Sequence, residues 1–223
     1  MHPENDAEIV TAYEKVITSR TKLMMIPHIV NITGHILPVK KIVAMAHSHG
    51  VEVMVDGAHA VGHYEFSISD LGCDYYGTSL HKWLSVPLGA GMLYVKKDRI
   101  SKLEPLLAPF DLKLENIGYL NHIGTHPVAT DLAVVDAIDF HQNIGGKRKE
   151  DRLRYIQRYW SDQVRNLPGI HVNTPKDPLR SCGIANVGVE SMSPADMAKT
   201  LIEKYKIFTV AIDGVGVKGC RIS

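Results

Sequence analysis

The sequence predicts an α/β protein with a mainly parallel sheet, followed by a second, smaller α/β unit. Strand-like apolar stretches alternate with helix-spaced segments in the first half of the chain, which is the order of strand–helix–strand units. The early strand-like stretches are apolar on both sides, as in strands covered on both faces. A similar mixture of helix and strand patterns returns beyond the glycine pair at 145 and 146. We therefore expect two units, residues 1–144 and 145–223.

The first elements form a strand–helix–strand unit. Helix-spaced apolar residues occupy positions 6–15, and residues 22–31 have the pattern of an apolar strand. Pro38 lies near the first turn of the next helix and Gly50 ends it, because proline suits a helix start and glycine a helix end. The strand VEVMV follows at residues 51–55.

The later elements follow from the same patterns. Two further strands are separated by a short loop, two long helices flank the glycine pair, and the last part of the chain reads as strands around one helix. The predicted strands are 74–79, 91–96, 170–172, 183–189, 207–212 and 217–223, and the predicted helices are 128–140, 153–164 and 195–205.

Composition narrows the classes of function. The 223 residues are 45% hydrophobic and 22% charged, which suits a packed globular protein. The formal net charge of +1 provides no basic or acidic surface for nucleic acid or an anionic membrane, so a small-molecule partner is expected. Cys73, Cys182 and Cys220 are far apart and form no CxxC pair, which argues against disulfides and structural zinc. The longest apolar stretches are too short to span a membrane.

Two residues stand at positions where chemistry is expected. Asp56 follows an apolar strand, and ligands of open parallel sheets bind at the carboxyl ends of strands. Its ordinary interpretation is a cap of the following turn. Lys82 lies between His81 and Trp83 in a loop between two apolar strands, an unusual place for a solvated surface lysine. Apolar and cationic neighbours make a lysine a usable nucleophile toward carbonyls. The residues alone leave both interpretations open.

The segments around these two residues resemble a known family. MVDGAHAVGH at 54–63 and DYYGTSLHKWLSVPLGAGMLYV at 74–95 are similar to the class V aminotransferase group of fold-type I pyridoxal-phosphate enzymes. Within that group the isopenicillin N epimerase-like branch is the most similar. An acidic residue and a lysine 26 positions apart, Asp56 and Lys82, each follow a predicted strand. The resemblance extends over residues 22–223 and is strongest over 53–95.

The resemblance implies a role for each matching cofactor residue. Lys82 would form the Schiff base with pyridoxal 5′-phosphate and later act as general base and acid at the substrate α-carbon. Asp56 would keep the pyridine nitrogen protonated, so that the ring accepts electrons. Ser79 and His81 resemble phosphate contacts, although a turn serine and a surface histidine are their ordinary interpretations. His59 matches the position that reaches the cofactor's phenolic oxygen.

Other matches concern the substrate and a second subunit. Asn31, in PHIVNITG, matches an asparagine near substrate and cofactor, and Arg221 falls where the family binds the substrate α-carboxylate through a two-donor fork. Without the resemblance, Arg221 would be an ordinary surface arginine. Gly124 and Thr125 resemble a short motif that contributes to the phosphate site of the neighbouring subunit, which implies a homodimer with shared active sites.

The resemblance implies an enzyme acting at the α-carbon of an amino acid or of a peptide with a free α-amino-carboxylate end. Aminotransferase and epimerase activities stay open. Cysteine desulfurase or lyase activity is an alternative, but Cys220 directly precedes Arg221 in a predicted strand and should face the other way. A catalytically incomplete fragment is a second alternative. A metal hydrolase using His59 and His63 is the weakest, because no third ligand with suitable spacing appears.

One family feature has no counterpart in the sequence. The phosphate of these enzymes also rests on a helix amino terminus upstream of the strand that leads to Asn31, and we find no such segment. We therefore expect the chain to begin after the first half of the cofactor domain and to lack closing elements after residue 223. A cytoplasmic location is expected from the cysteine pattern, although an export signal could precede Met1.

Overall fold

In the computed structural model, residues 5–107 and 113–223 are described, and their strands form two separate four-stranded sheets. The first sheet has the order β1-β2-β3-β4, in which β1, β2 and β3 are parallel and β4 is antiparallel to β3. Its strands are β1 (Leu23–Pro27), β2 (Glu52–Asp56), β3 (Tyr75–Ser79) and β4 (Gly91–Val95). A mainly parallel sheet was predicted, and this prediction is confirmed.

The reversal of β4 has a simple cause. Only residues 80–90 connect β3 to β4, whereas two parallel neighbours need a crossover of a dozen or more residues, usually a helix. The sequence pattern predicted a strand here but gave no direction. The tight return places the loop that carries Lys82 at the carboxyl edge of the parallel strands.

The helix α2 (Val39–Ser48) covers one face of this sheet and contributes much of its core. Its apolar residues recur at helical spacing, and the buried ones pack with alternate residues of β1 and β2. Two other helices, α1 (Asp6–Glu14) and α3 (Ile68–Leu71), flank it. Members of this core that are at most 3% exposed are Ile9, Ile26, Val39, Ile42, Val43, Ala46, Val51, Val53, Val55, Cys73 and Tyr76.

The glycine pair separates two long helices, as predicted. Helix α4 (Ala129–Ile144) ends at Gly145, whose positive φ of 87° suits a residue without a side chain, and α5 (Gly146–Val164) begins directly after it. α5 therefore starts seven residues earlier than its apolar pattern predicted. Single-turn 3₁₀ segments at 97–102, 117–120 and 178–180 were not predicted.

The second sheet is antiparallel throughout and has the order β5-β6-β8-β7. It contains β5 (Ile170–Val172), β6 (Ala185–Val189), β7 (Val210–Gly214) and β8 (Val217–Ile222), with α6 (Pro194–Tyr205) between β6 and β7. Ser193 accepts a hydrogen bond from the Asp196 amide at 3.1 Å and caps α6. The predicted small α/β unit is confirmed as a fold. The boundary at residue 144 stays a prediction.

The two sheets meet through the loop that follows β1. Gly34 has a φ of 76°, and a Cβ built on it would lie 2.0 Å from the carbonyl oxygen of Ile184. A side chain is therefore excluded where the loop touches the entry to β6. Thr174 adds a hydrogen bond from its hydroxyl to the carbonyl of Thr33, at 2.8 Å. The contact fixes the loop that carries Asn31 against the second sheet.

Across the described residues, no helix combines the length and apolar character needed to cross a membrane.

Candidate active site

Asp56 is the last residue of β2 and lies at the carboxyl edge of the parallel strands. Its Oδ1 atom accepts a hydrogen bond from the Ala58 amide at 2.9 Å. This bond is the turn cap of the ordinary interpretation. Among the described residues only Oδ1 is engaged, so the cap leaves Oδ2 as an acceptor for a ligand. The two interpretations of Asp56 are therefore compatible.

Lys82 lies next to His59. The Nζ atom of Lys82 is 3.1 Å from Nε2 of His59. The lysine loop is closed by hydrogen bonds from Leu80 N to the Ala90 carbonyl and from Val86 N to the Leu80 carbonyl. Buried Leu80 and Val86 anchor the loop while the Lys82 side chain remains exposed. The anchored loop thus holds the backbone of Lys82 in place and leaves its amine exposed.

Two aromatic residues hold His59 in place. The indole Nε1 of Trp83 donates to Nδ1 of His59 at 3.3 Å. The Trp83 ring stacks on His63 with a centroid distance of 3.6 Å and an interplanar angle of 12°. The sequence analysis treated Trp83 only as a neighbour of Lys82. No local pattern marks a contact between side chains 24 positions apart, so sequence reasoning missed this role.

His63 is a structural residue rather than a metal ligand. Its Nδ1 donates to the His59 carbonyl at 2.7 Å, and its Nε2 accepts from the Gly183 amide at 2.7 Å. Both ring nitrogens are therefore occupied. Within residues 5–107 and 113–223, no group of three or more His, Cys, Asp or Glu side chains could hold a metal ion.

Burial keeps both histidines neutral near pH 7. Loss of hydration lowers the pKa of His59 to about 4, and the positive charges of Lys82 and Arg221 act in the same direction while Asp56 opposes them. Burial likewise lowers the pKa of His63 to about 3. Hydrogen bonds in this cluster are consequently those of neutral imidazole rings.

Arg221 and Asn31 come together from opposite ends of the chain. Arg221, in β8, donates from Nη1 to the main-chain carbonyl of Asn31 at 3.5 Å. Asn31 does not end a strand: β1 stops at Pro27, and the loop after it turns back with a hydrogen bond from Val30 N to the His35 carbonyl. The predicted strand 22–31 was thus too long. The proximity of the two predicted substrate residues does not depend on that boundary.

The predicted phosphate contacts lie at the start of the lysine loop. Ser79 ends β3 opposite Gly91, and His81 follows two residues later. Nδ1 of His81 is buried and has no hydrogen-bond partner among the described residues. The same holds for Nε of Arg221. Such unpaired polar atoms are costly unless a ligand or water satisfies them. Thr125 is exposed on the segment before α4, apart from this cluster.

All three cysteines are buried. Cys73 and Cys182 are 1% exposed and Cys220 is 0% exposed. Burial raises the pKa of Cys73 to about 11 and that of Cys182 to about 12. The Cys220 thiol contacts the Pro194 carbonyl at 3.4 Å, on the opposite side of β8 from the Arg221 contact with Asn31. None of the three thiols is accessible to solvent.

Asp56, His59 and Lys82 thus lie at the carboxyl edge of the parallel strands, and Arg221 comes from the second sheet. The family model of class V aminotransferases matches residues 3–217, and the chain belongs to this family. The predicted family is thereby confirmed. Pyridoxal phosphate is the cofactor of the family, which confirms the predicted cofactor.

Curated relatives of two kinds are similar to the chain. A probable cysteine desulfurase of Halalkalibacterium halodurans is 32% identical over 197 residues. The alignment covers 84% of this chain and 48% of the relative. An isopenicillin N epimerase of Streptomyces clavuligerus is 28% identical over 222 residues, covering 92% of this chain and 56% of the relative. The chain thus spans about half the length of the curated relatives it matches.

A solved structure supports the fold. A C-DES variant with glycine covalently linked to its PLP cofactor aligns with a TM-score of 0.83 and 22% identity. The alignment covers 98% of this chain and 59% of the other. At this identity the similarity concerns the fold alone.

Proposed function

We propose that the protein is a pyridoxal-phosphate enzyme that acts at the α-carbon of an amino acid or of an amino-acid-terminated peptide, as an epimerase or an aminotransferase. The observation that carries the proposal is the contact of Lys82 Nζ with His59 Nε2, 3.1 Å apart, at the strand edge that also carries Asp56. An amine, a neutral imidazole and a carboxylate are thereby grouped around one edge of a parallel sheet.

The residues present fit the cofactor. Lys82 would provide its covalent attachment, and Asp56, with Oδ2 not engaged among the described residues, would pair with its pyridine nitrogen. Ser79 and the unpartnered Nδ1 of His81 would contact its phosphate. His59 would donate to its phenolic oxygen. When bound, the cofactor supplies a ring that accepts electrons from the substrate α-carbon.

The chain's own groups would manage the protons of the reaction. The Lys82 amine removes a proton from the α-carbon and returns one to it. Asp56 holds a proton on the ring nitrogen, because an adjacent carboxylate favours the charged form of a base. The side of the α-carbon to which the proton returns separates epimerisation from retention. Reprotonation at a different carbon gives transamination.

Arg221 would orient the substrate. A guanidinium binds a carboxylate through two parallel N–H donors, and the Nε of Arg221 lacks a partner among the described residues. Its contact with the Asn31 carbonyl, at 3.5 Å, sets the direction of the side chain. A free α-carboxylate would satisfy the open donor. This supports substrates that are amino acids or peptides ending in one.

Cysteine desulfurase activity is the second candidate, favoured by the relative from H. halodurans. A desulfurase needs a thiolate that reaches the substrate sulfur, carried on a mobile loop before the carboxylate-binding arginine. In this chain the paired strands β7 and β8 are joined by a two-residue turn, Val215 and Gly216, which precedes Arg221 in β8. Neither turn residue is a cysteine. This supports the first candidate over the second.

A homodimer with shared sites remains part of the proposal. It rests on the similarity of Gly124 and Thr125 to a motif that reaches the neighbouring subunit. Thr125 is exposed before α4, where a second copy could meet it. Sedimentation of the purified protein with and without cofactor tests this point.

The decisive experiment concerns Lys82. The protein is incubated with pyridoxal phosphate, reduced with borohydride and digested, and the peptide that carries the fixed cofactor is identified by mass spectrometry. We expect the label on Lys82, and its loss in Lys82→Ala. Lys97→Ala, an exposed lysine near the opposite edge of the sheet, serves as the control and should label normally. Equal labelling of Lys82→Ala and the parent would contradict the proposal, and no labelling of either would favour a catalytically incomplete fragment.

A further inference from the structure

We propose that Trp83 is a positioning residue: its indole N–H fixes the tautomer of His59, so that the ring proton of His59 lies on Nε2, the nitrogen nearer to Lys82. The geometry joins three side chains in a row. Trp83 Nε1 lies 3.3 Å from His59 Nδ1, and His59 Nε2 lies 3.1 Å from Lys82 Nζ.

The direction of the row follows from the chemistry of the donors. An indole nitrogen can only donate a hydrogen bond, so His59 Nδ1 must be the acceptor. A neutral imidazole carries one proton, which then lies on Nε2. Burial supports the neutral ring by lowering the pKa of His59 to about 4. The ring proton therefore lies on the side of His59 that faces Lys82 Nζ.

The opposite assignment leaves a group unsatisfied. With the ring proton on Nδ1, His59 would turn a second N–H toward the indole N–H of Trp83. Two donors would oppose each other across 3.3 Å. The indole cannot turn away, because its ring stacks on His63, whereas the side chain of Lys82 is exposed and can turn. The Trp83 contact therefore sets the tautomer.

Contacts to both the ring and the backbone hold Trp83 in this position. Its ring stacks on His63, whose two nitrogens are fixed by the His59 carbonyl and the Gly183 amide. A Cβ on Gly183 would lie 3.0 Å from the Trp83 ring, so the absence of a side chain there permits the stack. Lys149 of α5 donates to the Trp83 carbonyl. Backbone and ring of Trp83 are thus both tied to the surrounding fold.

The test measures the tautomers directly. The full chain is prepared with ¹⁵N-labelled histidine, and long-range ¹H–¹⁵N correlation spectra show which ring nitrogen carries the proton. We expect Nε2–H for His59. For His63 we expect Nδ1–H, so the two neighbouring histidines give opposite patterns in one spectrum. Nδ1–H on His59 of the parent protein would overturn the proposal whatever any variant does.

Substitution of the indole provides the second arm. Trp83→Phe keeps an aromatic ring for His63 but removes the N–H, and we expect His59 to become a mixture of tautomers. His63 should keep Nδ1–H, which shows that the fold is retained. Trp160→Phe, in α5, is the matched control and should change neither residue. Unaltered Nε2–H on His59 in Trp83→Phe would also overturn the proposal.

A kinetic arm rests on the proposed function. The rate at which borohydride-fixed cofactor accumulates should fall roughly two- to tenfold in Trp83→Phe, the effect of one hydrogen bond. In a His59→Ala background the same substitution should have no further effect, since no ring remains to be oriented. Additive losses would overturn the positioning role. If neither protein binds cofactor, the proposed function fails while the tautomer spectra still test the inference.

Discussion

At the residue scale, a substitution of Asp56 can separate the effect of its charge from the effect of its shape. Asp56→Asn keeps the size of the side chain, and its Oδ1 can still accept the hydrogen bond that the Ala58 amide donates to Asp56 Oδ1 at 2.9 Å. It removes the negative charge, and each unit lost from the pKa of the cofactor's ring nitrogen corresponds to about 1.4 kcal/mol. We expect exchange of the substrate α-proton for deuterium to slow at least tenfold, with a much smaller loss of cofactor affinity. Equal exchange rates in variant and parent would contradict the role.

Arg221 is a second residue whose shape and charge can be separated. Arg221→Lys keeps the positive charge but loses the planar fork, so a bidentate contact with a carboxylate becomes a single one. We expect KM for an amino-acid substrate to rise roughly tenfold or more, with a smaller change in kcat, since a charge-assisted hydrogen bond contributes about 1.5–3 kcal/mol. Arg158→Lys, on the exposed face of α5, is the control. A KM unchanged by Arg221→Lys would move the carboxylate to another residue.

At the scale of elements, the buried His28 makes the stability of the first sheet depend on pH. His28, just after β1, lies 2.9 Å from the Tyr76 hydroxyl and 2.6 Å from the Tyr64 hydroxyl. Burial lowers its pKa from 6.5 to about 4. The unfolded chain therefore binds a proton between pH 6.5 and 4 that the folded chain does not. The resulting stabilisation is complete above pH 6.5 and is lost as the pH falls toward 4.

The corresponding variant is His28→Phe. At pH 7 it should be less stable than the parent because two tyrosine hydroxyls lose their partner. The difference in free energy of unfolding should narrow by on the order of 3 kcal/mol between pH 7 and pH 4, since the variant has no such proton to bind. Urea unfolding at several pH values measures it. Val53→Ala, a core substitution without a titratable group, should show a constant difference, and a constant difference in His28→Phe would disprove the assignment.

The elements themselves show which features a sequence pattern can predict. Apolar periodicity located β2, β3 and the two long helices, because burial on one face dictates the spacing of apolar residues. It did not predict that β4 runs antiparallel, which follows from the short connection 80–90 and not from the strand's own residues. It also extended β1 beyond Pro27, since the apolar residues after it are buried in a loop instead.

At the scale of the whole molecule, the site combines residues that no local pattern connects. Lys82 and Asp56 could be predicted because each follows a predicted strand and lies within a continuous motif of the family. The contact of Arg221 with Asn31 joins positions 190 residues apart and depends on how the second sheet docks on the loop around Gly34. Only the family resemblance predicted that both serve the substrate. The Trp83–His59 bond depends on side-chain geometry and had no sequence signal.

At the same scale, a measurement of sulfide release distinguishes the two proposed reactions. The accessible loop thiolate of a desulfurase has no counterpart among the described residues: all three cysteines are buried, and the turn between β7 and β8 has only Val215 and Gly216. A thiol without access to solvent cannot accept sulfur from a bound substrate. We expect incubation with cysteine and a reductant to release no sulfide above a Lys82→Ala control, while an α-deuterated amino acid loses its label in the parent protein. Sulfide release that required Cys220, shown by its loss in Cys220→Ala but not in Cys73→Ala, would place the protein with the desulfurases and would require β8 to open during turnover.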